Sequence, residues 1–272
     1  MSRSFPEIGF GTYKLDDPED CVENVTRALD VGYRHVDTAQ VYDNEAYVGD
    51  AIAESDVPRD DVFLATKVGT ENLAYEDVLG SVEESCEKLG VETLDLLYVH
   101  WPTNTYDPEE TLEALDDLVE NGTVEHVGLS NFRVDQLEEA SEILRTPIFA
   151  HQVECHPLLA QEELRAYAEE AGHHLVAYSP IARGDVGDVP AINDVAGNHG
   201  ATAAQVALAW LIRKGVHPIP KASGDHVAEN YRALELADQL SEGEIEKIDA
   251  IDERERLIDP DDAPWNERPA AE

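Results

Sequence analysis

Residues 62–100 decide the fold, and they read VFLATKVGTENLAYEDVLGSVEESCEKLGVETLDLLYVH. The stretch begins with an apolar run typical of a strand and continues with an amphipathic segment that Gly90 ends as a helix cap. A second apolar run starts at Leu94. Two strands joined by a helix predict a β/α/β unit with parallel strands.

The same alternation extends along the whole chain. Strand-like runs begin near Ile8, His35, Val62, Leu94, Glu125, Ile148, His174 and His217. Helical segments are predicted from residue 17 and over 75–90, 107–122, 161–172 and 202–215. Eight strands, each followed by a helix, predict an α/β fold, a closed (β/α)8 TIM barrel forming a single domain over residues 1–272.

The competing fold is a doubly wound open sheet, which carries a glycine-rich phosphate loop after its first strand. Residues 9–12 read GFGT, with no third glycine and no helix start, so this signal is weak. Segments 187–200 and 241–254 are predicted as extra helices outside the barrel repeat. Residues 257–272, rich in Pro, Asp and Ala, are expected to form an irregular C-terminal flap over the barrel.

Charge is the dominant compositional feature. The formal net charge is -40, from 59 acidic and 19 basic residues, and such a surface should repel nucleic acid. Lysine is scarce against arginine, and with the acidity this is typical of a halophilic protein, which should lose stability in low salt. No apolar run spans a membrane and the N-terminus is no signal peptide, so we expect a cytoplasmic protein.

Neither a disulfide framework nor a metal site is expected. Cys21, Cys86 and Cys155 are far apart, and no C-x-x-C pattern occurs. His35 and Asp37 alternate on one predicted strand, but no paired-histidine motif accompanies them.

Polar residues at the ends of apolar runs are the candidate chemistry. Asp37, Lys67 and His100 end three of the predicted strands, and Tyr42 lies just beyond the first of these. A titratable group at the end of a buried strand is costly unless it is paired. In a barrel, the carboxyl ends of the strands share one reactive face, so we expect one common pocket.

These four residues suit the reduction of a carbonyl. Lys67 can lower the pKa of the Tyr42 phenol, Asp37 can orient Lys67, and His100 can donate a hydrogen bond to the substrate oxygen. Hydride must then come from a cofactor. Each residue alone has a plainer interpretation: Asp37 as a helix cap, Tyr42 as an ordinary aromatic and His100 as a structural histidine. Lys67 could instead form a Schiff base, as in barrel aldolases.

Eight motifs in order resemble the aldo-keto reductases. They are GYRHVDTA at 32–39, VYDNE at 41–45, ATK at 65–67, YVHWP at 98–102, GLSNF at 128–132, QVECHP at 152–157, AYSP at 177–180 and IPKA at 219–222. The similarity runs from about Ile8 to Asn230. It implies an NADPH-dependent oxidoreductase that reduces aldehydes and ketones, with Asp37, Tyr42, Lys67 and His100 as a catalytic tetrad and Tyr42 as general acid.

The resemblance also implies a cofactor site. Ser130, Asn131 and Gln152 would bind the nicotinamide carboxamide, and Tyr178, followed by Ser179, would stack on the ring. The far end of the cofactor would meet Lys221, Ser223, His226, Glu229 and Asn230. Here His226 stands where NADPH-preferring members carry arginine, and Asp225 adds negative charge, so NADPH is expected with NADH possible.

The substrate pocket is expected to be open. Tyr13, Trp101 and Trp265 would form its walls, and the short loops resemble those of prokaryotic members. Small aldehydes, α-keto aldehydes or sugar-derived ketones are the expected substrates of a monomer. A cofactor-binding regulatory subunit without turnover remains the alternative from another functional class.

Overall fold

The computed structural model describes residues 4–266 and has a barrel of eight parallel strands that follow one another in sequence order. The strands are β1 (Phe10–Gly11), β2 (His35–Asp37), β3 (Phe63–Val68), β4 (Leu94–Val99), β5 (Val124–Ser130), β6 (Ile148–Glu154), β7 (His174–Tyr178) and β8 (Val216–Pro218). Gly9 N donates to Pro218 O at 2.9 Å and Gly11 N to Pro220 O at 3.2 Å, so the first and last strands meet. The predicted (β/α)8 architecture is confirmed.

Eleven α-helices surround the strands in the described part of the chain. They are α1 (Pro18–Val31), α2 (Glu45–Glu54), α3 (Tyr75–Leu89), α4 (Pro108–Glu120), α5 (Val134–Ile143), α6 (Glu162–Ala171), α7 (Pro190–His199), α8 (Ala203–Arg213), α9 (His226–Tyr231), α10 (Ala233–Gln239) and α11 (Glu242–Asp249). Predicted caps are in place: the Asp17 side chain accepts from Asp20 N at 3.1 Å, and Gly90 ends α3 with φ 65°. No helix within residues 4–266 is long and apolar enough to cross a membrane.

Two extra helices differ from their predicted ranges. Residues 182–188 form a 3-10 segment with Arg183 and Gly184 at positive φ, so α7 starts only at Pro190. Helix α11 ends at Asp249, five residues before the predicted end. The chain beyond it turns toward the barrel, where Glu255 N donates to Leu158 O at 2.9 Å, and this contact replaces a further helical turn.

Residues 257–266 lie against the barrel top, as the flap prediction requires. Residues 257–266 are irregular apart from a short 3-10 turn at Pro264–Asn266, and residues 267–272 of the predicted flap lie outside the described residues. We call residues 257–266 the flap.

The opposite, amino-terminal end of the barrel is filled with aromatic side chains. The Phe5 ring packs 5.0 Å from the ring of His35, 4.9 Å from that of His174 and 4.6 Å from that of His217. Gly9 permits this packing, because a Cβ there would come within 2.4 Å of His35 Nδ1. The carboxyl ends of the strands, where the active sites of such barrels lie, are at the opposite end from this packed cluster.

Candidate active site

The four predicted catalytic residues meet at the carboxyl ends of neighbouring strands. Asp37 is the last residue of β2, Lys67 is the penultimate residue of β3, and His100 directly follows β4. Tyr42 ends a 3-10 turn over Gln40–Tyr42, which places its ring above the same opening. The Tyr42 ring centroid lies 5.9 Å from that of His100, and Lys67 Nζ lies 5.2 Å from the Tyr42 centroid.

A buried ion pair forms the base of this group. Lys67 and Asp37 are 0% and 2% exposed, and Lys67 Nζ donates to Asp37 Oδ1. Lys67 Nζ also donates to Thr38 O at 2.7 Å, and Gln152 Nε2 donates to Asp37 Oδ2 at 2.7 Å. Burial raises the pKa of Asp37 and lowers the pKa of Lys67, while the charge of each partner opposes the shift of the other. The pair therefore holds a fixed cation beneath Tyr42.

The protonation states suit a proton donor beside a neutral histidine. Contrary to the expectation from sequence, the pKa of Tyr42 is raised, first by burial and then by Asp37 and Tyr13. The Lys67 ammonium beneath the ring is paired with Asp37. Burial and the Lys67 charge lower the pKa of His100 to about 3, so its imidazole is neutral at physiological pH.

Polar side chains and one aromatic ring line the adjacent ends of β5, β6 and β7. Asn131 Nδ2 donates to His100 O and to Ser130 Oγ, both at 3.0 Å, and the Tyr178 hydroxyl donates to Asn131 Oδ1 at 2.8 Å. Ser130 and Asn131 do not cap helix α5, whose N-cap is Arg133. This network ties the expected nicotinamide residues, including Gln152, directly to the catalytic group.

The expected adenine end lies on the loop after β8 and on helix α9. Lys221, Ser223 and His226 are exposed there, Asn230 is buried, and Ser179 lies after β7 at φ 49°. His226 Nδ1 lies 2.7 Å from Glu229 Oε2. Sequence reasoning missed Arg27 of α1, whose guanidinium lies 3.7 Å from Asp225 and offsets part of its negative charge.

Three aromatic residues frame the mouth of the site. The Tyr13 ring lies 5.2 Å from that of Tyr42 and is 48% exposed. The Trp101 ring lies 5.4 Å from that of Trp265, which belongs to the flap. All three expected pocket residues therefore lie around one opening.

A buried glutamate that sequence reasoning passed over anchors the flap. The Glu154 carboxylate accepts from Leu257 N at 2.7 Å and from Ile258 N at 2.8 Å, and His156 Nε2 lies 2.9 Å from it. At the other end, Arg133 donates to Pro264 O at 2.6 Å. Glu154 ends β6 as Lys67 nearly ends β3, so the rule that singled out Lys67 could have found it.

No three His, Cys, Asp or Glu side chains within residues 4–266 are grouped so as to hold a metal ion. Ser130, Asn131 and Tyr178 would fit an aromatic ring that bears a carboxamide. The Ser130 hydroxyl accepts from Asn131, and its own proton is donated to no residue in the described range. Tyr178 offers a partly buried ring beside it.

Comparison with known proteins identifies the class. The profile of the Aldo/keto reductase family matches residues 7–253, so the chain belongs to the aldo/keto reductase family. It is 38% identical to glyoxal reductase of Bacillus subtilis over 93% of this chain and 91% of that protein. It is 36% identical to methylglyoxal reductase of Escherichia coli O157:H7 over 95% of this chain and 97% of that protein.

Solved structures agree with this membership. An aldo-keto reductase from a Medee basin deep-sea metagenome library superposes with a TM-score of 0.91 at 31% identity, covering 96% of each chain. The aldose reductase from Schistosoma japonicum gives a TM-score of 0.88 at 30% identity, covering 94% of this chain and 91% of that one.

Proposed function

We propose that this protein is an NADPH-dependent reductase of small aldehydes and ketones, in which Tyr42 is the general acid. One observation carries the proposal: the buried Lys67–Asp37 pair lies beneath a protonated Tyr42 that faces a neutral His100. Membership of the aldo/keto reductase family supports carbonyl reduction as the reaction class.

The reaction follows from the positions of these groups. When bound, the reduced nicotinamide supplies hydride to the carbonyl carbon. The imidazole N–H of His100 donates a hydrogen bond to the carbonyl oxygen and polarises it. Tyr42 gives its hydroxyl proton to that oxygen as negative charge develops, and Lys67 stabilises the phenolate left behind. Asp37, itself held by Gln152, keeps Lys67 charged and in place.

The cofactor proposal rests on residues at both ends of the expected site. Ser130, Asn131 and Gln152 would bind the carboxamide, and Tyr178 would stack on the ring. Lys221, Ser223 and His226 would meet the 2′-phosphate, with Glu229 and Asn230 near the adenine. We propose that NADPH is preferred through Lys221, Ser223 and His226. NADH is also accepted, because Asp225 and Glu229 place negative charge where the 2′-phosphate would bind.

The aldolase alternative is weaker, because Lys67 Nζ is fully buried and donates to both Asp37 and Thr38 O. A Schiff-base lysine must instead present an unprotonated amine to the substrate. The regulatory-subunit alternative predicts cofactor binding without turnover. The assembled catalytic group favours an enzyme.

Substrates and setting complete the proposal. The relatives named as glyoxal and methylglyoxal reductases support small aldehydes and α-keto aldehydes as substrates, entering between Tyr13, Trp101 and Trp265. We propose that residues 1–272 act as one catalytic domain in a monomer of the cytoplasm. The excess of acidic residues, 59 against 19 basic ones, supports a cell interior rich in salt.

The test is cofactor oxidation in molar KCl with methylglyoxal and uncharged aldehydes, comparing the native protein with Tyr42→Phe. Loss of the general acid should lower kcat by about 10²- to 10⁴-fold while cofactor still binds. Tyr47→Phe on α2 removes the same atom outside the site and should keep native turnover. Full activity of Tyr42→Phe would refute the assignment, and tight cofactor binding without any native turnover would favour the regulatory subunit.

A further inference from the structure

The flap places a cation at the mouth of the site. Arg256 immediately precedes Leu257, whose backbone N–H donates to Glu154. The guanidinium carbon of Arg256 lies 4.0 Å from the ring centroid of Trp265. Trp265 in turn packs against Trp101, the neighbour of His100. Arg256 also lies close enough to Tyr178 for its charge to counteract part of the rise in the pKa of that phenol. The Arg256 guanidinium therefore lies at the substrate opening.

Most lysine and arginine side chains within residues 4–266 pair with a carboxylate, but Arg256 does not. Arg27, Arg145 and Arg213, for example, each pair with a carboxylate. Within residues 4–266, Arg256 makes no ion pair and donates no side-chain hydrogen bond. Its contact with the face of Trp265 consumes none of its five N–H donors.

The acidic groups near Arg256 are already occupied. The Glu154 carboxylate accepts from Leu257 N and Ile258 N and lies beside His156. Asp259 Oδ1 accepts from Trp265 Nε1 at 2.9 Å, and these local hydrogen bonds, more than the charge of Arg256, lower the pKa of Asp259. The Arg256 donors thus remain available to a ligand.

We propose that Arg256 forms an anion subsite that selects carbonyl substrates carrying a carboxylate, such as oxo acids and semialdehyde acids. The proposal rests on the reductase function, because it assumes that the carbonyl binds between Tyr42 and His100. The carboxylate then lies at the flap side of the opening, on the guanidinium.

Charge explains both the need for this subsite and its ligand. The chain has 59 acidic and 19 basic residues, so an anionic substrate meets few cations, and Arg256 supplies one at the entrance. The planar guanidinium matches a carboxylate through two parallel hydrogen bonds. A doubly charged group would suffer more from the carboxylates of Glu154 and Asp259, so the subsite favours a monoanion.

The experiment compares pairs of carbonyl compounds with and without a carboxylate. Oxo carboxylates of two to five carbons are each matched with the uncharged aldehyde of the same length, and kcat/KM is measured with NADPH in molar KCl. For the best oxo acid, Arg256→Gln should lower its kcat/KM relative to its matched aldehyde by about tenfold to a hundredfold. The change should appear mainly in KM, because the guanidinium would bind the carboxylate equally in the ground state and in the transition state.

Two further variants keep the test specific. Arg256→Lys retains the charge without the fork and should recover part of the ratio. Arg254→Gln removes the same charge two residues earlier, at a side chain 3.6 Å from Glu162, and should keep the native ratio. An unchanged ratio in Arg256→Gln would overturn the subsite even if both aldehydes react more slowly. Failure of the native protein to reduce either class would instead refute the reductase proposal, and the subsite with it.

Discussion

His35 makes the stability of this barrel depend on pH. Its ring packs between Phe5 at 5.0 Å and Phe63 at 5.6 Å, fully buried, and neither ring nitrogen has a hydrogen-bond partner within residues 4–266. Burial, with contributions from His217 and Lys67, lowers the pKa of His35 to about 3. The folded protein therefore keeps this imidazole neutral at pH values where an unfolded chain protonates it.

The size of the effect follows from the two pKa values. An unfolded histidine titrates at about 6.5. Between that value and about 3, the unfolded chain binds a proton that the folded chain does not, so stability is complete above pH 6.5 and falls as the pH falls. At about 1.36 kcal/mol per unit, lowering the pH from 7.5 to 5.0 should remove about 2 kcal/mol through His35 alone.

The assay is equilibrium unfolding by urea in molar KCl at pH 7.5 and pH 5.0, with the native protein and His35→Leu. The native protein should lose stability between the two pH values, and the loss should be smaller by about 2 kcal/mol in the variant. An identical pH dependence in native protein and His35→Leu would refute the reasoning.

Three other perturbations follow from charge. Lys67→Met should lower the free energy of unfolding by about 3–5 kcal/mol, because it leaves Asp37 buried without its partner, and Asp37→Asn with Lys67→Met should recover much of that loss in urea unfolding. Greater instability of the double variant would contradict this. His226→Arg should raise the ratio of kcat/KM for NADPH over NADH about tenfold, through a bidentate phosphate contact, and an unchanged ratio would remove His226 from the phosphate site. Dilution from 1 M to about 0.01 M KCl lengthens the Debye length from about 3 Å to about 30 Å, so the melting temperature should fall, and a constant one would argue against a halophilic protein.

The barrel was predictable because its signals are local. The runs at His35, Leu94, Ile148 and His174 begin strands at the predicted residues, since each is an apolar segment bounded by turn or helix signals. Helix α11 was predicted too long, because its end depends on a contact with Leu158 from a distant part of the chain. Local sequence carries no trace of such a contact.

The candidate site also contains features that the local sequence predicts and features that depend on distant contacts. Asp37 and Lys67 were predictable, because a charged residue ending an apolar run needs a partner, and the parallel strands bring the two together. The raised pKa of Tyr42 was not, because it depends on burial beside Tyr13 and Asp37. Arg256 was also missed as a functional residue, because its place over the Trp265 ring depends on the path of an irregular segment across the barrel.

Hydrogen bonds hold the flap at both of its ends, and most of the residues between these ends are exposed. Glu154 holds the amides of Leu257 and Ile258, and Arg133 holds the carbonyl of Pro264, while residues 259–262 between these anchors are exposed. Asp259 and Pro260 accept hydrogen bonds from Trp265 and Asn266, so they help to shape the flap. Asp261 and Asp262 are the exposed positions that can be exchanged for new side chains without disturbing either anchor or the barrel core.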